Sequence, residues 1–334
     1  MPGDALPHPE RAPLDGLASE MLRWQRDGVG GVVARMAGSE GLGGAARGEL
    51  VAIADSGERV GALLSGLLDA QIEHVAEQLR AGQQPSPLIE AEIDARSALR
   101  AGLACGGQAS ALVQRVDAIP EDFWNALARR EPAALITMPD GQTLSVPGPQ
   151  PATDAVAAVA AELLERGVPS ATREADGAIL IQSFHPGRRL LVVGEAALAH
   201  ALTRQAALLG WDAQLADALP AAESALAELR TGDAVVVLTH DPELDAPALA
   251  EALRRGIGYV GAMGSRRTQA RRAEALTALG LSDAEIGRIY GPVGLDLAAA
   301  TPAESALAVC AEVLAAASGR PPASLRDRSG PISG

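Results

Sequence analysis

Two glycines, a hydroxyl and two adjacent arginines fall within the segment Tyr259-Val260-Gly261-Ala262-Met263-Gly264-Ser265-Arg266-Arg267-Thr268. The order is that of an apolar strand entering a glycine turn and leaving as a helix. Glycines let backbone amides approach a ligand, a helix start carries partial positive charge, and guanidinium forks match phosphate and other oxyanions. Gly261, Gly264, Ser265, Arg266 and Arg267 are therefore candidate anion-binding residues. The same residues also suit a plain strand-turn-helix joint with solvated arginines, and both readings stand at this level.

Other groups with chemistry close further apolar runs. Gly194 follows Leu190-Leu191-Val192-Val193 and precedes Glu195-Ala196-Ala197, where a dinucleotide fingerprint would supply a second glycine two positions on. Asp217 lies near the distance at which a carboxylate accepts from a ribose hydroxyl, so an NAD(P)-dependent oxidoreductase with His240 as acid or base is the alternative to a structural turn. Thr239-His240-Asp241 end the run Ala234 to Leu238 and are followed by Asp245. They place a hydroxyl, an imidazole and carboxylates at one turn, or serve as helix caps, Asp245 chiefly so. Asp296, after Gly291-Pro292-Val293-Gly294-Leu295, offers one more carboxylate. Thr301-Pro302-Ala303-Glu304 has the pattern of a capping box. Earlier in the chain, Cys105-Gly106-Gly107 sets a thiol on a two-glycine turn whose amides could steady a thiolate, an anion or a metal, the competing reading being a buried inert cysteine. Cys310, among small apolar residues, reads as core.

These groups need a scaffold that brings turns to one edge. From Arg188 onward strands alternate with helical segments, which implies a parallel sheet with helices on both faces and ligands beyond the carboxyl ends of its strands. Between Ala18 and Phe184 short strands (Gly30 to Arg35, Glu49 to Ala54, Arg59 to Leu64, Ala109 to Arg115, Ala134 to Met138) mix with helices near Ala18 to Asp27, Leu68 to Ala81 and Asp154 to Arg166. Pro139 to Thr153, rich in proline, reads as a long loop or linker. The expected fold is α/β: a C-terminal Rossmann-like doubly wound parallel sheet over 186–317 and an N-terminal α+β domain over 18–185, with 1–17 and 318–334 as flexible termini.

At 334 residues two cores are the default. Aromatics make up 2% of the chain, so those cores should be filled by Ala, Leu and Val. All 28 basic residues are arginine, which excludes a lysine Schiff base or a phosphate-binding lysine of the Walker type. A net charge of -14 repels polyanions, so neither nucleic acid nor an acidic membrane surface is an expected partner. Two distant cysteines fit a reduced, cytoplasmic setting, and no apolar run is long enough to span a bilayer.

Taken together, these residues resemble the XdhC/CoxI family, accessory proteins for maturation of molybdenum hydroxylases such as xanthine dehydrogenase and carbon monoxide dehydrogenase. The resemblance rests on LVVG, LTHDPELD, YVGAMGSRRT and GPVGLDLAAATPAESALAVCAEVLAA in the second domain, and in the first on Cys105-Gly106-Gly107, with Gly38-Ser39, Arg47 and Ser65-Gly66 at weaker positions. It implies a non-catalytic chaperone that binds the anionic molybdenum cofactor, works with a cysteine desulfurase and delivers to a hydroxylase client. Cys105 would then face the metal or its sulfur, and Gly261, Gly264, Ser265, Arg266, Arg267, Gly106, Gly107, Thr239, His240, Asp241, Asp296, Gly194 and Asp217 would hold the cofactor. A homodimer is the commonest closed assembly. Some motifs diverge: the family's Gly-Gly-Cys reads Ser65-Gly66-Leu67, its Ser-x-Pro-Arg reads Ser39-Glu40-Gly41-Leu42, its Gly-x-Gly-His reads Gly194-Glu195-Ala196-Ala197, and Leu219 replaces an arginine. The lost cysteine bears on sulfur transfer more than on cofactor binding.

Overall fold

A computed structural model describes residues 13–42, 48–83, 86–103, 105–148, 154–165, 169–174, 178–319 and 321–327. Arg47, Ala104 and, of the terminal segments, residues 1–12, 320 and 328–334 lie outside the described residues. The chain divides into two compact units, Met1–Pro186 and Gly187–Gly334.

In unit 1 the order is α1 (Leu14–Asp27), β1 (Gly31–Glu40), β2 (Leu50–Ala54), β3 (Arg59–Gly61), α2 (Asp69–Arg80), β4 (Leu88–Ile93), α3 (Ala95–Arg100), β5 (Gly107–Arg115), α4 (Glu121–Ala128), β6 (Ala133–Thr137), β7 (Thr143–Pro147), α5 (Ala155–Glu165), β8 (Ser170–Glu174) and β9 (Ile179–Phe184). The strands form two antiparallel sheets, β3-β2-β1-β5-β4 and β7-β6-β9-β8. Strand β1 is central and buried on both faces, Val32, Ala34 and Met36 turning to α2 and α3 while Val33 turns to α1 and α4. This is the α+β arrangement expected.

Several local expectations are corrected. Helix α1 starts at Leu14 rather than Ala18, because the stripe Leu17, Met21 and Trp24 is wholly buried and needs that first turn. The presumed loop after Pro139 contains β7, a hairpin partner of β6. It lies at a sheet edge with Pro147 as its last residue, where a missing N–H breaks little of the ladder. Strand β3 stops at Gly61, and Leu64, Ser65 and Gly66 follow with φ of 47, 51 and 85°. Nor is the core free of rings: Trp24, Phe123, Trp124 and Phe184 gather in one cluster, with Phe123 edge-on to Trp124 and Phe184 at 4.8 and 5.2 Å.

Between the two sheets of unit 1 lies a polar layer. Arg35 on β1 is 1% exposed, donates from Nε to Gln182 Oε1 at 2.6 Å and bonds Thr137, and burial pushes its guanidinium down to about 9. It therefore stays charged at neutral pH, with neutral oxygens as its partners.

Unit 2 comprises β10 (Arg189–Val193), α6 (Ala197–Leu208), β11 (Asp212–Ala216), α7 (Leu219–Glu228), β12 (Ala234–Val237), α8 (Pro242–Arg254), β13 (Tyr259–Ala262), α9 (Arg266–Ala278), α10 (Asp283–Ile286), β14 (Ile289–Tyr290) and α11 (Pro302–Ser318). All neighbouring strands are parallel, in the order β11-β10-β12-β13-β14. Helices α7, α8 and α9 pack on one face and α6 and α11 on the other, giving the doubly wound sheet. Among the described residues no helix is long and apolar enough to cross a membrane.

One group ties unit 1 to pH. His185, just past β9, is bonded to the Leu163 backbone, leaves Nε2 without a partner, and is pushed down to about 4 by burial. The unfolded chain then takes up the proton first, so stability present above pH 6.5 is lost as pH falls toward 4, by up to about 3 kcal/mol. Urea midpoints at pH 7, 5.5 and 4.5 should fall accordingly, and His185→Phe should flatten the difference.

Candidate functional site

The carboxyl edge of the parallel sheet gathers the turns after β10, β12, β13 and β14. Because β10 lies between β11 and β12, the connection order reverses there, and such a switch point opens a crevice. At it, Gly194 has a φ of 127°, and a Cβ on it would stand 3.0 Å from Thr239 Cγ2. Its glycine thus serves a left-handed turn against the next loop. Asp217 and His240 are exposed at neighbouring turns. The order matches the flavodoxin-like doubly wound sheet rather than the six-stranded dinucleotide-binding one.

The turn after β13 is built around α9. Ser265 is the N-cap, its Oγ accepting from Thr268 N at 3.2 Å. Gly264 has a φ of 130°, and a Cβ there would press to 2.9 Å from Thr268 Cγ2, so glycine is demanded twice over. Gly261 is required for a different reason: its missing side chain leaves room for Val293 Cγ2, 2.6 Å from where a Cβ would sit. Arg266 and Arg267 are exposed, and among the described residues neither has a carboxylate partner. The first turn of α9 contains no acid, whereas α8 begins with Glu243 and Asp245 and α11 with Glu304. Helices α6 and α7 also lack a first-turn acid, but among the described residues α9 adds to its uncompensated positive end two exposed guanidinium groups in its first turn.

Helix α8 separates two aspartates that look alike in sequence. Asp241 is the N-cap, accepting from Glu243 N at 3.0 Å. Asp245 is not a cap, contrary to expectation. It is buried, accepting from Thr239 Oγ1 at 2.5 Å and, through Oδ2, from Arg272 at 2.6 Å. Arg272 also donates to Met263 O and Gln269 Oε1. Sequence reasoning passed over Arg272, although its spacing of four from buried Leu276 puts it on the inner face of α9.

Asp296 is exposed after a turn held from below. Glu312 on α11 accepts from Gly294 N at 2.8 Å and from Tyr259 Oη at 2.5 Å, and burial with that carboxylate beside it drives the Tyr259 phenol upward. Thr301 and Glu304 form the expected capping box. Cys310 is 1% exposed, and burial pushes its thiol up to about 11, which leaves it protonated and inert.

In unit 1, Cys105 is exposed rather than buried, and its Sγ lies 2.8 Å from Gly41 O. The glycines beside it are not an open turn. Gly107 is already the first residue of β5, paired with Ile93, and a Cβ on it would meet Glu40 O at 2.2 Å, while one on Gly106 would meet Ile93 O at 2.5 Å. Close strand packing therefore accounts for both. Among the described residues no three or more His, Cys, Asp or Glu cluster as metal ligands would.

Residues 190–313 match the family described as the XdhC Rossmann domain. The chain is similar to the molybdenum cofactor insertion chaperone PaoD of Escherichia coli (strain K12), 38% identical over 130 residues, which is 39% of this chain and 40% of that protein. It is also similar to the uncharacterized protein YqeB of the same bacterium, 29% identical over 147 residues, 38% of this chain and 27% of that one. The chain thus spans less than half the length of these curated relatives. A crystal structure described as a xanthine dehydrogenase from Bacillus halodurans shares the fold, with a TM-score of 0.56 at 16% identity over 93% of this chain and 97% of that one.

Gly264→Ala meets both a left-handed φ and a close contact, so it should destabilise unit 2 by about 1–3 kcal/mol. Urea denaturation checks this, and an unchanged midpoint would show that the turn tolerates a Cβ.

Proposed function

We propose, from the membership of the carboxyl-terminal unit in the XdhC Rossmann-domain family, that this chain serves molybdoenzyme maturation by holding molybdenum cofactor as its cargo. The observation that carries the reading is the uncompensated start of α9, with Gly264, Ser265, Arg266 and Arg267 around it. A cargo bearing phosphate suits exposed guanidinium groups, free first-turn amides and the positive helix end. The exposed groups Asp217, His240, Asp241 and Asp296 at neighbouring turns suit the N–H donors of a pterin ring, with Gly194, Thr239 and Gly261 shaping the turns that present them. In unit 1 the exposed thiol of Cys105 is the soft group suited to the metal or its sulfur.

PaoD is named as a molybdenum cofactor insertion chaperone, and the similarity to it supports a role of that class. The finer reading is delivery to a hydroxylase of the xanthine dehydrogenase or carbon monoxide dehydrogenase type, with sulfuration assisted by a cysteine desulfurase and a homodimer as the working assembly. The chain acts as a chaperone in this reading, positioning the cargo without turning it over. No observed feature favours NAD(P), since Glu195 and Ala196 occupy the positions where pyrophosphate needs open backbone.

Expression in a host that makes the cofactor, followed by native mass spectrometry, tests the assignment. Wild type should carry a pterin-molybdenum adduct, and Arg266→Ala with Arg267→Ala should reduce its occupancy at least about 10-fold, the loss of two charge-assisted contacts. Both side chains are exposed, so the melting temperature should barely move. Equal occupancy in the double variant overturns the site.

A further inference from the structure

A buried polar chain runs beneath the carboxyl edge of unit 2 and joins three of its turns. It begins at the turn after β12, where Asp241 N donates to Thr239 Oγ1 at 3.0 Å and Thr239 Oγ1 donates to Asp245. Asp245 pairs with Arg272 across α8 and α9, their side chains 7% and 4% exposed. From Arg272 the chain reaches the turn after β13 by two routes. NH1 donates to Met263 O at 3.1 Å, and it also donates to Gln269 Oε1 at 2.8 Å. The Gln269 amide in turn donates to Ala262 O at 2.9 Å and Gly264 O at 3.4 Å. The third turn, after β14, closes on the same side chain: a Cβ on Gly291 would lie 2.7 Å from the Gln269 amide, so the turn rests directly on it.

Two features set this network apart from ordinary packing. A buried ion pair adds little to stability compared with apolar residues of the same size, so its presence needs another account. Moreover, its free valences end on the carbonyls of the residues that enter the arginine turn, which is where a preset loop must be held.

We propose that Asp245, Arg272 and Gln269 are positioning residues that clamp the Thr239–Asp241 and Ala262–Gly264 turns into one rigid unit, fixing the direction in which Ser265, Arg266 and Arg267 present their donors. The role in ligand capture rests on the reading of those arginines given above. The clamp itself does not, because it acts in the free protein. Arginine held by a fixed loop binds an anion without first losing loop entropy, so loosening the clamp weakens binding while leaving every ligand-contacting side chain in place.

The test uses the full chain, without ligand and then with inorganic pyrophosphate as probe. Asp245→Asn removes the charge that orients Arg272. Gln269→Ala, at a partly exposed position, removes the second route and covers the case in which the first variant does not fold. Hydrogen exchange followed by mass spectrometry should show residues 239–241 and 262–268 exchanging at least about 5-fold faster in either folded variant, with β12 and unit 1 unchanged. The pyrophosphate dissociation constant should rise at least about 5-fold, which is about 1 kcal/mol. A merely structural pair would lower the melting temperature but leave both readouts at their wild-type values below it, and that result overturns the clamp. If wild type takes no pyrophosphate, the anion site fails, and faster exchange of the two turns in the variants would still sustain the clamp.

Discussion

Parallel strands cannot be joined by hairpins, and everything at the carboxyl edge of unit 2 follows from that constraint. Each of the strands β10 to β13 must be followed by a crossover that returns the chain to the far end of the sheet. Every turn that leaves one of these strands therefore opens at the same edge, and the four helices α6 to α9 all begin there with first-turn amides that have no partner within the helix. What differs between turns is how each helix start is treated. Acids compensate α8 and α11, α6 and α7 carry no first-turn acid, and α9 carries none and adds two arginines. Selectivity among otherwise equivalent turns is thus written in the first helical residues.

Unit 1 solves a different problem. Its antiparallel sheets face each other across a layer that is apolar around Phe123 and Phe184 but polar around Arg35, Gln182 and Thr137. Gln182 also bonds the Met36 carbonyl on the opposing sheet. A charge in that layer costs solvation that neutral partners restore only in part. It does, however, accept one geometry of the two sheets and penalises slippage, since a shift of one residue would bury the guanidinium against carbons. The register of β1 against β5 and of β6 against β9 is fixed by this layer as much as by the ladders themselves.

How much of this is legible in the sequence depends on whether the cause is local. The strands of unit 2 are legible because strands covered on both faces become continuous apolar runs, as in Leu190 to Val193 and Ala234 to Val237. Ser265 and Thr301 are legible as helix caps because a cap and its partner lie within a single turn. Strands β4, β7 and β8 are illegible because they are short sheet edges carrying charge or proline, and β9 is illegible although central and buried, because Gln182 and Ser183 break its apolar run. Asp245 was misread because its partner Arg272 is 27 residues away, so a buried carboxylate and a cap look identical within the α8 sequence. Gly106 and Gly107 misled for the same reason. Their neighbours Ile93 and Glu40 come from other strands, and only the assembled sheet reveals that a side chain has no room.

The bare positive end of α9 also sets how anions arrive. The molecule as a whole carries a charge of -14, so within a screening length of its surface a small anion meets a repulsive field and is drawn to the arginines only when close to them. Added salt then acts in opposite senses on the two stages of encounter: it lowers the outer barrier to approach and weakens the inner hold. Capture at this turn should therefore be fastest at an intermediate ionic strength, whereas a molecule of uniform positive sign would lose association rate steadily as salt rises.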